Sequence, residues 1–473
     1  MTKQIHCQDN IELLQGLKDN SVSGIVTDIP YALDKIDAKA MIYQDANNTK
    51  GFMGKAWDTL PTKDFLSECL RVLKDGSWFV TTFIPRLDLQ TVFVARLIEV
   101  GFDCSYTPIY WNFNSGFPKA NNISRKIDKQ KGLEGKWSCN GEQHITQPTV
   151  EDAIYCNGLY GGYQPKPAVE VILCVMKPHK SKSQVEQAKK WYNERKELLE
   201  QGITEEELYK YTTQGTGGSW LDNARIPIAD ETQDTQGRFA PNLLVSDNAL
   251  DVGRETKSVD TLRNNHQSKV MGIENGCYAY GKYNDFAAYG HTDQGDLSRY
   301  YTLDNWTKKH LPALYKLSKK TLQLEADCNK VFPIIPCSKP SPEEKNAGLE
   351  EFEKKQIADG SIRENAETAR KYGANPSIKE NTHPTVKAIS LYSYLLKLFT
   401  KEHDLVLEPF CGSGVTAIAC ELTNRNYIAC DICQEYVDIA KARVEFWRKQ
   451  KDLQEINKAK EKQTDIFDIF DLL

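Results

Sequence analysis

Short apolar runs alternate with amphipathic segments along most of the chain, which is the pattern of an α/β fold. Apolar runs bounded by turn residues predict buried strands, and apolar residues at helical spacing predict helices. The predicted strands are residues 5–7, 22–27, 77–82, 105–111, 170–176, 405–407 and 427–430. The predicted helices are residues 11–17, 65–73, 87–100, 183–201, 389–399 and 435–447. Because the strands at 105–111 and 170–176 are expected at an antiparallel end, the pattern predicts an α/β fold with a mixed sheet.

Two of the predicted helices carry apolar residues on one face, which predicts that this face is buried. The residues are Leu391, Tyr394, Leu395 and Leu398 in the first helix, and Val437, Ala440, Val444 and Trp447 in the second. The helix at 183–201 also has an apolar set near one face, namely Val185, Ala188, Tyr192 and Leu199. That helix is otherwise highly charged, so a solvated surface is expected for it.

Two long parts of the chain lack sustained periodicity. Residues 32–58 are polar, and a long loop directly after a buried strand is often a lid or a substrate-binding loop. A segment without function is the alternative. Residues 212–301 are rich in Gly, Asn, Asp and Tyr, and a proline-rich connector follows at 333–342. The α/β pattern is therefore interrupted from about residue 178 to this connector.

The composition is that of a globular protein with a modest negative charge. The chain has 473 residues, with 60 Lys and Arg against 65 Asp and Glu, so its formal charge is −5. No overall positive field marks a nucleic-acid-binding protein, and local clusters therefore matter more. The stretch from Lys119 to Lys136 is one such cluster. It is either a strip that faces phosphates or a solvated loop.

Cysteine usage and the absence of a long apolar segment bear on the compartment. The 13 cysteines are dispersed and odd in number, which favours a reducing cytosol over a disulfide framework. The N-terminus does not resemble a signal peptide, and the longest apolar run, Val169–Met176, is too short to span a bilayer. Cys430 and Cys433 have the spacing of a zinc pair without a second pair, so no metal is expected. A cytoplasmic protein without a membrane partner is predicted.

One stretch combines a carboxylate, a turn and an aromatic ring directly after a predicted strand. Asp28, Ile29, Pro30 and Tyr31 follow the apolar run at 22–27, and ligands of open α/β sheets bind beyond the carboxyl ends of strands. The Asp28 carboxylate and the Ile29 carbonyl could accept hydrogen bonds from an amino group on a flat base, on which Tyr31 would stack. An ordinary turn is the alternative, since Asp and Pro are common there.

A second predicted strand is followed by a glycine-rich turn and a helix. Residues 405–407 precede Glu408-Pro409-Phe410-Cys411-Gly412-Ser413-Gly414. This arrangement lets the backbone approach a nucleotide-like ligand closely, and a tight turn without a ligand is the alternative. Asp431 follows the next predicted strand and is placed to accept hydrogen bonds from ribose hydroxyls.

Together the two stretches resemble the amino-methylating DNA methyltransferases. Residues 28–31 are similar to the catalytic Asp-Pro-Pro-Tyr motif of that family, with Ile29 in place of the first proline. Residues 408–414 are similar to its S-adenosylmethionine loop, and residues 381–387 to the segment that precedes the loop. Further segments similar to phage and prophage adenine methylases are 51–58, 71–76, 116–119, 166–170, 237–242 and 339–349.

The resemblance implies two sets of site residues and no metal. The implied catalytic residues are Asp28, Ile29, Pro30 and Tyr31. The implied residues for S-adenosylmethionine are Asp9, His383, Thr385, Lys387, Glu408, Phe410, Gly412, Gly414 and Asp431. For Asp9, the alternative is a cap on the following helix, a position where aspartate is favoured.

The resemblance also implies the arrangement of the chain. The catalytic motif precedes the cofactor loop, which is the circularly permuted order of the beta class. The expected fold is a doubly wound mixed sheet of the S-adenosylmethionine-dependent methyltransferase type, in which the strand at 5–7 follows the one at 427–430. The expected parts are a catalytic half at 1–177, an insertion for target recognition at 178–335, a cofactor-binding half at 336–450 and a charged helical end with a tail at 451–473.

The implied reaction is methyl transfer to the exocyclic amino group of an adenine flipped out of double-stranded DNA. An Asp-led motif favours adenine, whereas a Ser-led motif would favour cytosine; N4-cytosine methylation is one alternative. A non-catalytic DNA-binding partner derived from such an enzyme is another, and Ile29 is its best support. Methylation of protein glutamine is disfavoured, because that family places the cofactor loop first.

The sequence also offers candidate residues for DNA contacts in the insertion and for a protein contact in the tail. The candidates for base or phosphate contacts in the insertion are Arg225, Arg238, Arg254 and Arg263, which the sequence does not rank. The tail at 464–473 mixes apolar and acidic residues. It either docks on a protein partner or packs on its own domain or a second copy, as in a homodimer. The expected location is the cytoplasm of a bacterial cell or of a phage-infected host.

Overall fold

The computed structural model describes an α/β framework and the segments attached to it. It describes residues 2–32, 57–112, 121–133, 148–161, 169–226, 239, 242–245, 256–257, 294–295, 303–312, 314, 340–357 and 377–470. The strands are β1 (Lys3–Cys7), β2 (Val22–Asp28), β3 (Leu73–Phe83), β4 (Ile109–Asn112), β5 (Asn121–Asn122), β6 (Tyr160–Gly161), β7 (Val169–Met176), β8 (Leu243–Val245), β9 (Thr256–Lys257), β10 (Gln294–Gly295), β11 (Lys355–Ile357), β12 (Ser377–Lys379), β13 (Leu405–Glu408) and β14 (Asn426–Asp431). The helices are α1 (Asn10–Gln15), α2 (Lys63–Val72), α3 (Leu87–Val100), α4 (Ile123–Gln130), α5 (Glu151–Tyr155), α6 (Gln184–Glu200), α7 (Leu303–His310), α8 (Pro342–Asn346), α9 (Ile389–Phe399), α10 (Val415–Leu422) and α11 (Gln434–Phe470).

Eight of the described strands form one mixed sheet in the order β1-β14-β13-β2-β3-β7-β4-β8. The first five of these run parallel, whereas β7 is antiparallel to both β3 and β4. The α/β fold with a mixed sheet and an antiparallel end is therefore confirmed. Since adjacent parallel strands end at the same edge, β2, β13 and β14 deliver their last residues to one place.

The two ends of the chain meet in this sheet. β1 pairs in parallel with β14, from Lys3 opposite Tyr427 to Cys7 opposite Asp431. The expected neighbourhood of the first and last strands is confirmed.

The sheet separates two apolar clusters, because successive residues of a strand point to opposite faces. Ile25 and Phe79 belong to one cluster, and Val26 and Val80 belong to the other. Buried residues of α2 and α3 complete the first cluster, while α9, α10 and α11 complete the second. β2 and β3 are thus covered on both faces, which explains their continuous apolar runs.

The two apolar helix faces predicted near the end of the chain are buried. α9 has the predicted bounds, whereas α11 continues far beyond the predicted end to Phe470. Its second part is rich in Lys, Glu and Gln, which are strong helix formers. The predicted tail is therefore helical as far as residue 470, and its side chains lie outside the described residues. Among the described helices, α11 included, none has the length and apolar content that a membrane span needs.

α6 exposes its apolar face and packs through polar side chains. Val185 and Tyr192 are exposed, while Gln187 and Arg195 are buried. The amide of Gln187 donates to the carbonyls of Asp75 and Gly215, on the side of the sheet where β3 begins. Polar docking of this kind leaves no apolar periodicity.

The strand predicted at 105–111 begins only at Ile109. Pro108 has no N–H for a sheet hydrogen bond, and the Asp103 carboxylate accepts from the backbone and hydroxyl of Ser105, which fixes a turn instead.

The predicted insertion also contributes to the sheet and its core. Ala224, Leu244 and Trp306 are buried in the same cluster as Val26, and β8 extends the sheet beside β4. The predicted loop is described only at Ala32 and residues 57–58, and residues 116–119 lie outside the described residues.

Candidate functional site

The last residues of β2, β13 and β14 open onto one cleft at the carboxyl edge of the sheet. Its volume is about 990 Å³, which includes solvent at the mouth. The predicted site residues that line it are Asp28, Ile29, Pro30, Tyr31, His383, Thr385, Lys387, Glu408, Phe410, Gly412 and Asp431. Asp9 and Gly414 are not among the lining residues. The fold thus brings the catalytic and cofactor motifs into one cavity.

Asp28 lies at the end of β2, and its carboxylate is held from one side. Its Oδ1 accepts hydrogen bonds from the Tyr31 hydroxyl at 2.8 Å and from the Thr82 hydroxyl at 2.5 Å. Lys387 Nζ lies 3.4 Å from the same oxygen. Within the described residues no hydrogen bond falls on Oδ2, so this oxygen is available to a group in the cleft.

The charge of Asp28 depends on two neighbours. Burial raises its pKa above the ordinary aspartate value, Lys387 lowers it, and Glu170 raises it further. Lys387 stays protonated: burial lowers its pKa, but Asp28 and Glu170 outweigh burial and raise it above the ordinary lysine value. Lys387 Nζ donates to Glu170 Oε2 at 2.6 Å and to the Tyr31 hydroxyl at 2.9 Å.

The turn after β2 is held by burial and by Asp58. Ile29 is 2% exposed and packs in the cluster of Ile25. The Oδ1 atom of Asp58 accepts from the backbone N–H groups of Tyr31, at 3.1 Å, and Ala32, at 2.9 Å. These contacts fix the turn at a position where the family motif has a proline.

Glu408 ties the glycine-rich loop to the strand that carries Asp28. Its carboxylate accepts from the hydroxyls of Thr27 and Thr416 and from the Phe410 N–H. Burial raises the pKa of Glu408 to about 7, although these donors lower it. The side chain is therefore a buried junction between β2, β13 and α10.

Gly412 and Asp431 form the opposite wall of the cleft. The Gly412 N–H donates to Asp431 Oδ2 at 2.8 Å, and the Cys433 N–H donates to Oδ1 at 2.9 Å. Gly412 has a φ of +48°, and a Cβ built on it would lie 2.6 Å from the His383 ring. Only glycine therefore fits here without movement of the ring.

His383 is an uncharged part of this wall. Burial lowers its pKa to about 3, and Arg443 and Lys387 add to the effect. The ring packs edge-on against Tyr436, with 4.7 Å between centroids. A neutral ring beside Gly412 suits a cationic ligand better than a charged one would, because like charges repel.

Two predicted cofactor residues have other roles in the fold. Asp9 caps α1, and its Oδ1 accepts from the N–H groups of Ile11 at 2.8 Å and Glu12 at 3.3 Å. Its contact with a cofactor stays a prediction. Gly414 has a φ of +83°, and a Cβ there would lie 2.9 Å from the Ala440 Cβ in α11. The close approach found at Gly414 is thus to α11, and a contact of this residue with a cofactor stays a prediction.

Sequence reasoning missed several residues around Asp28. Asp58 and Glu170 lie within segments that resemble the family, but no role was assigned to them. Thr82 carries a usable signal, because it lies near the carboxyl end of β3, beside Asp28 in the sheet. Tyr392, whose hydroxyl lies 3.0 Å from that of Thr82, gives no signal, since it reads as one more buried residue of α9.

Comparison with known proteins gives one family match. The family model of DNA methylases of the N6/N4 type matches residues 22–442. The type II methyltransferase M.HpaI of Haemophilus parainfluenzae is 41% identical over 63 residues, which are 13% of this chain and 20% of that protein. The type II methyltransferase M2.MboI of Moraxella bovis is 41% identical over 64 residues, 14% of this chain and 23% of that protein. The match thus spans about a fifth of the length of these relatives.

Among solved structures, the PvuII DNA methyltransferase (cytosine-N4-specific) aligns with a TM-score of 0.39 and 13% identity. The alignment covers 94% of this chain and 86% of that one.

The geometry at Gly414 leads to a stability prediction. Gly414→Ala is expected to lower the free energy of unfolding without any ligand by about 2–5 kcal/mol, since it combines a left-handed φ with overpacking against α11. Denaturant unfolding measures this. Gly218→Ala is the control, because its Cβ meets no atom within 4 Å, and a change below about 0.5 kcal/mol is expected. A Gly414→Ala protein of unchanged stability that loses only ligand binding would contradict this explanation.

Proposed function

We propose that this chain, which belongs to the family of N6/N4 DNA methylases, methylates the exocyclic amino group of a target adenine in double-stranded DNA. The methyl donor is S-adenosylmethionine. The observation that carries the proposal is the shared cleft: the Asp28 carboxylate and the Tyr31 ring line the same cavity as the glycine-rich loop and Asp431. A base and a cofactor bound there would face each other.

The cofactor half of the cleft fits a nucleoside-like ligand. Gly412 lines the cavity, and a Cβ on it would meet the His383 ring. Each oxygen of Asp431 accepts one backbone hydrogen bond, which leaves capacity for ribose hydroxyls. Phe410, His383 and Thr385 complete this side. When bound, S-adenosylmethionine supplies an activated methyl group and its own leaving group.

The catalytic half has to hold an amino group in line with that methyl group. Oδ2 of Asp28 and the carbonyl of Ile29 would accept the two amino hydrogens and stabilise the positive charge that develops on nitrogen. Positioning of this kind can contribute about 7–11 kcal/mol. The raised pKa of Asp28, caused first by burial, also suits it to take the proton that the methylated nitrogen releases.

A base in a duplex cannot reach this cleft, so the target base would be flipped out at a cost of a few kcal/mol. Stacking of the flipped base on Tyr31 would offset about 1–3 kcal/mol of this cost. The Tyr31 ring is braced edge-on by Phe83, with 5.5 Å between centroids. The ring is therefore held at the turn that carries the two acceptors.

The preference for adenine rests on the Asp-led motif, and methylation of the cytosine amino group is the alternative. Incubation of unmethylated genomic DNA with the protein and S-adenosylmethionine, then digestion to nucleosides and mass spectrometry, tests both. N6-methyladenine is expected. N4-methylcytosine would overturn the base assignment, and the absence of both products would overturn the proposed activity.

Asp28→Ala is expected to lose methyl transfer while it still binds S-adenosylmethionine, because Asp28 and the glycine-rich loop lie on different strands. Single-turnover assays and a cofactor titration measure the two effects. The matched control is Asp88→Ala at the surface start of α3, which should leave both unchanged. Equal loss of cofactor binding in a folded Asp28→Ala protein would contradict the assignment.

Ile29→Pro is expected to change kcat/KM by less than about tenfold, or ~1.4 kcal/mol. The proposed catalytic atom is the backbone carbonyl, which both residues have, and burial of Ile29 with the Asp58 hydrogen bonds already restrains the turn. Both proteins are compared at one salt concentration on one DNA. An inactive parent with an active Ile29→Pro protein would favour the non-catalytic DNA-binding alternative.

The topology suggests where the flanking DNA lies. β4 ends and β7 begins at the edge of the sheet that carries the cleft, and α4 and α5 belong to the segment between them. Lys126 and Lys129 of α4 are exposed, and Tyr155 of α5 is 92% exposed. Basic side chains beside an exposed aromatic ring suit a DNA backbone and its neighbouring bases.

Reversal of charge at Lys126 and Lys129 is therefore expected to weaken DNA binding and to reduce the slope of log Kd against log salt by about two. Titration of one duplex over a range of salt concentrations measures this. The control is reversal at Lys189 and Lys190 of α6, exposed lysines near the opposite edge of the sheet. Equal slopes for both double variants would remove α4 from the DNA interface.

A further inference from the structure

Lys387 lies in a segment that resembles a cofactor-binding motif, but its side chain contacts the catalytic turn. Its Nζ lies 2.6 Å from Glu170 Oε2, 2.9 Å from the Tyr31 hydroxyl and 3.4 Å from Asp28 Oδ1. We propose that Lys387 and Glu170 are positioning residues that set the charge of Asp28 and the orientation of Tyr31. This inference rests on the proposed function and adds two residues to its mechanism.

Burial makes the charges of this group strongly interdependent. The side chains of Lys387, Glu170 and Asp28 are 8%, 18% and 21% exposed. Two carboxylates and one ammonium group in a site shielded from water form a cluster with one net negative charge. If the ammonium group is removed, two carboxylates face each other without a cation, so the pKa of Asp28 rises.

Glu170 has the opposite effect on Asp28. It is the partner closest to Lys387 Nζ, so it draws the ammonium group away from Asp28, and its own charge repels that of Asp28. Lys387 therefore lowers the pKa of Asp28 and Glu170 raises it, so the pair leaves the carboxylate more basic than Lys387 alone would. A carboxylate balanced in this way accepts a hydrogen bond from an amino group and still has affinity for a proton.

Lys387 also fixes the ring on which the base would stack. Its Nζ donates to the Tyr31 hydroxyl and lies 5.1 Å from the centroid of the ring. The same hydroxyl donates to Asp28 Oδ1. The hydroxyl is thus held between the ammonium group and the carboxylate, and burial raises the Tyr31 pKa well above its ordinary value, which keeps the hydroxyl a donor.

The other groups that face Asp28 would not make the pH dependence of activity change with the charges of Lys387 and Glu170. Thr82 of β3 does not titrate, and the pKa of Tyr392 of α9 is raised well above its ordinary value, chiefly by burial. Glu408 of β13, with its pKa raised to about 7, can also produce an acid limb in the pH profile. Its principal interactions are with Thr27, Thr416, Phe410 and Asp28. If protonation of Glu408 caused the acid limb, removal of the Lys387 or Glu170 charge would therefore not shift that limb in opposite directions.

We expect Lys387→Met and Glu170→Gln to shift the pH profile of kcat/KM in opposite directions. The part that shifts is its acid limb, where kcat/KM falls at low pH because Asp28 becomes protonated. Loss of the cation raises the Asp28 pKa, so the limb moves to higher pH. Loss of the Glu170 charge lowers the Asp28 pKa, so the limb moves to lower pH. A merely structural role would reduce activity at all pH values without opposite shifts. Lys387→Arg keeps the positive charge and is expected to retain the limb of the parent.

Lys74→Met is the matched control, because Lys74 is also a buried lysine but bonds to Ser23 and Thr212 near the opposite edge of the sheet. It should leave the limb where the parent has it. A calorimetric titration with S-adenosylmethionine is the second measurement, and affinities within about threefold of the parent are expected for Lys387→Met and Glu170→Gln, a difference below ~0.7 kcal/mol.

The possible outcomes test the proposed function and the positioning role of Lys387 and Glu170 separately. An inactive parent overturns the proposed function and this inference with it. An active parent whose limb stays fixed, or moves in the same direction in both variants, overturns the inference alone. Loss of cofactor affinity in Lys387→Met with an unmoved limb would return Lys387 to the cofactor site. If Lys387→Met does not fold, Glu170→Gln still decides, since it removes a charge with little change in shape.

Discussion

The burial of Glu408 and the partial burial of Asp28 and Asp431 at one edge of the sheet are the constraint on which the rest of the site depends. Asp28, Glu408 and Asp431 end three adjacent parallel strands, so the topology places them side by side. Buried carboxylates are tolerated only when donors surround them. Hydroxyl groups serve Asp28 and Glu408, and backbone N–H groups serve Asp431 and Glu408. All three acids line the cleft, and Oδ2 of Asp28 is the carboxylate oxygen without a donor among the described residues.

The hydrogen bonds to these acids also link the turn at residues 28–31 with the glycine-rich loop and the segment before it. Glu408 holds the glycine-rich loop to the strand before Asp28, and Lys387 reaches from the neighbouring segment to Tyr31. The glycine-rich loop and the turn at residues 28–31 are therefore each bonded to a side chain that another part of the cleft supplies. The apolar clusters on both faces keep the strands themselves fixed, because close-packed interiors resist small shifts.

How much could be predicted from sequence depended on whether a feature is local. The bounds of α9 and the buried face of α11 were predicted because apolar periodicity reports burial directly. The turn at residues 28–31 and the glycine-rich loop at residues 408–414 could be identified as candidate sites because each is a short contiguous motif. The packing of α6 through Gln187 and Arg195 was not predictable, because contacts through polar side chains produce no apolar periodicity in the sequence. Gly414 was placed in the loop, but its contact with Ala440 was not predicted, because Ala440 is remote in sequence.

The residues around Asp28 show why contacts are harder to predict than motifs. Thr82, Glu170 and Lys387 come from three separate parts of the chain, and only the strand order β2-β3-β7 brings the first two together. A motif match assigns Lys387 to the cofactor because its neighbours in sequence contact that side. A lysine side chain, however, is long enough to act on the other side of a cleft. Where the charges of a buried site must balance, the partner of a residue is therefore decided by the fold and not by the motif that contains it.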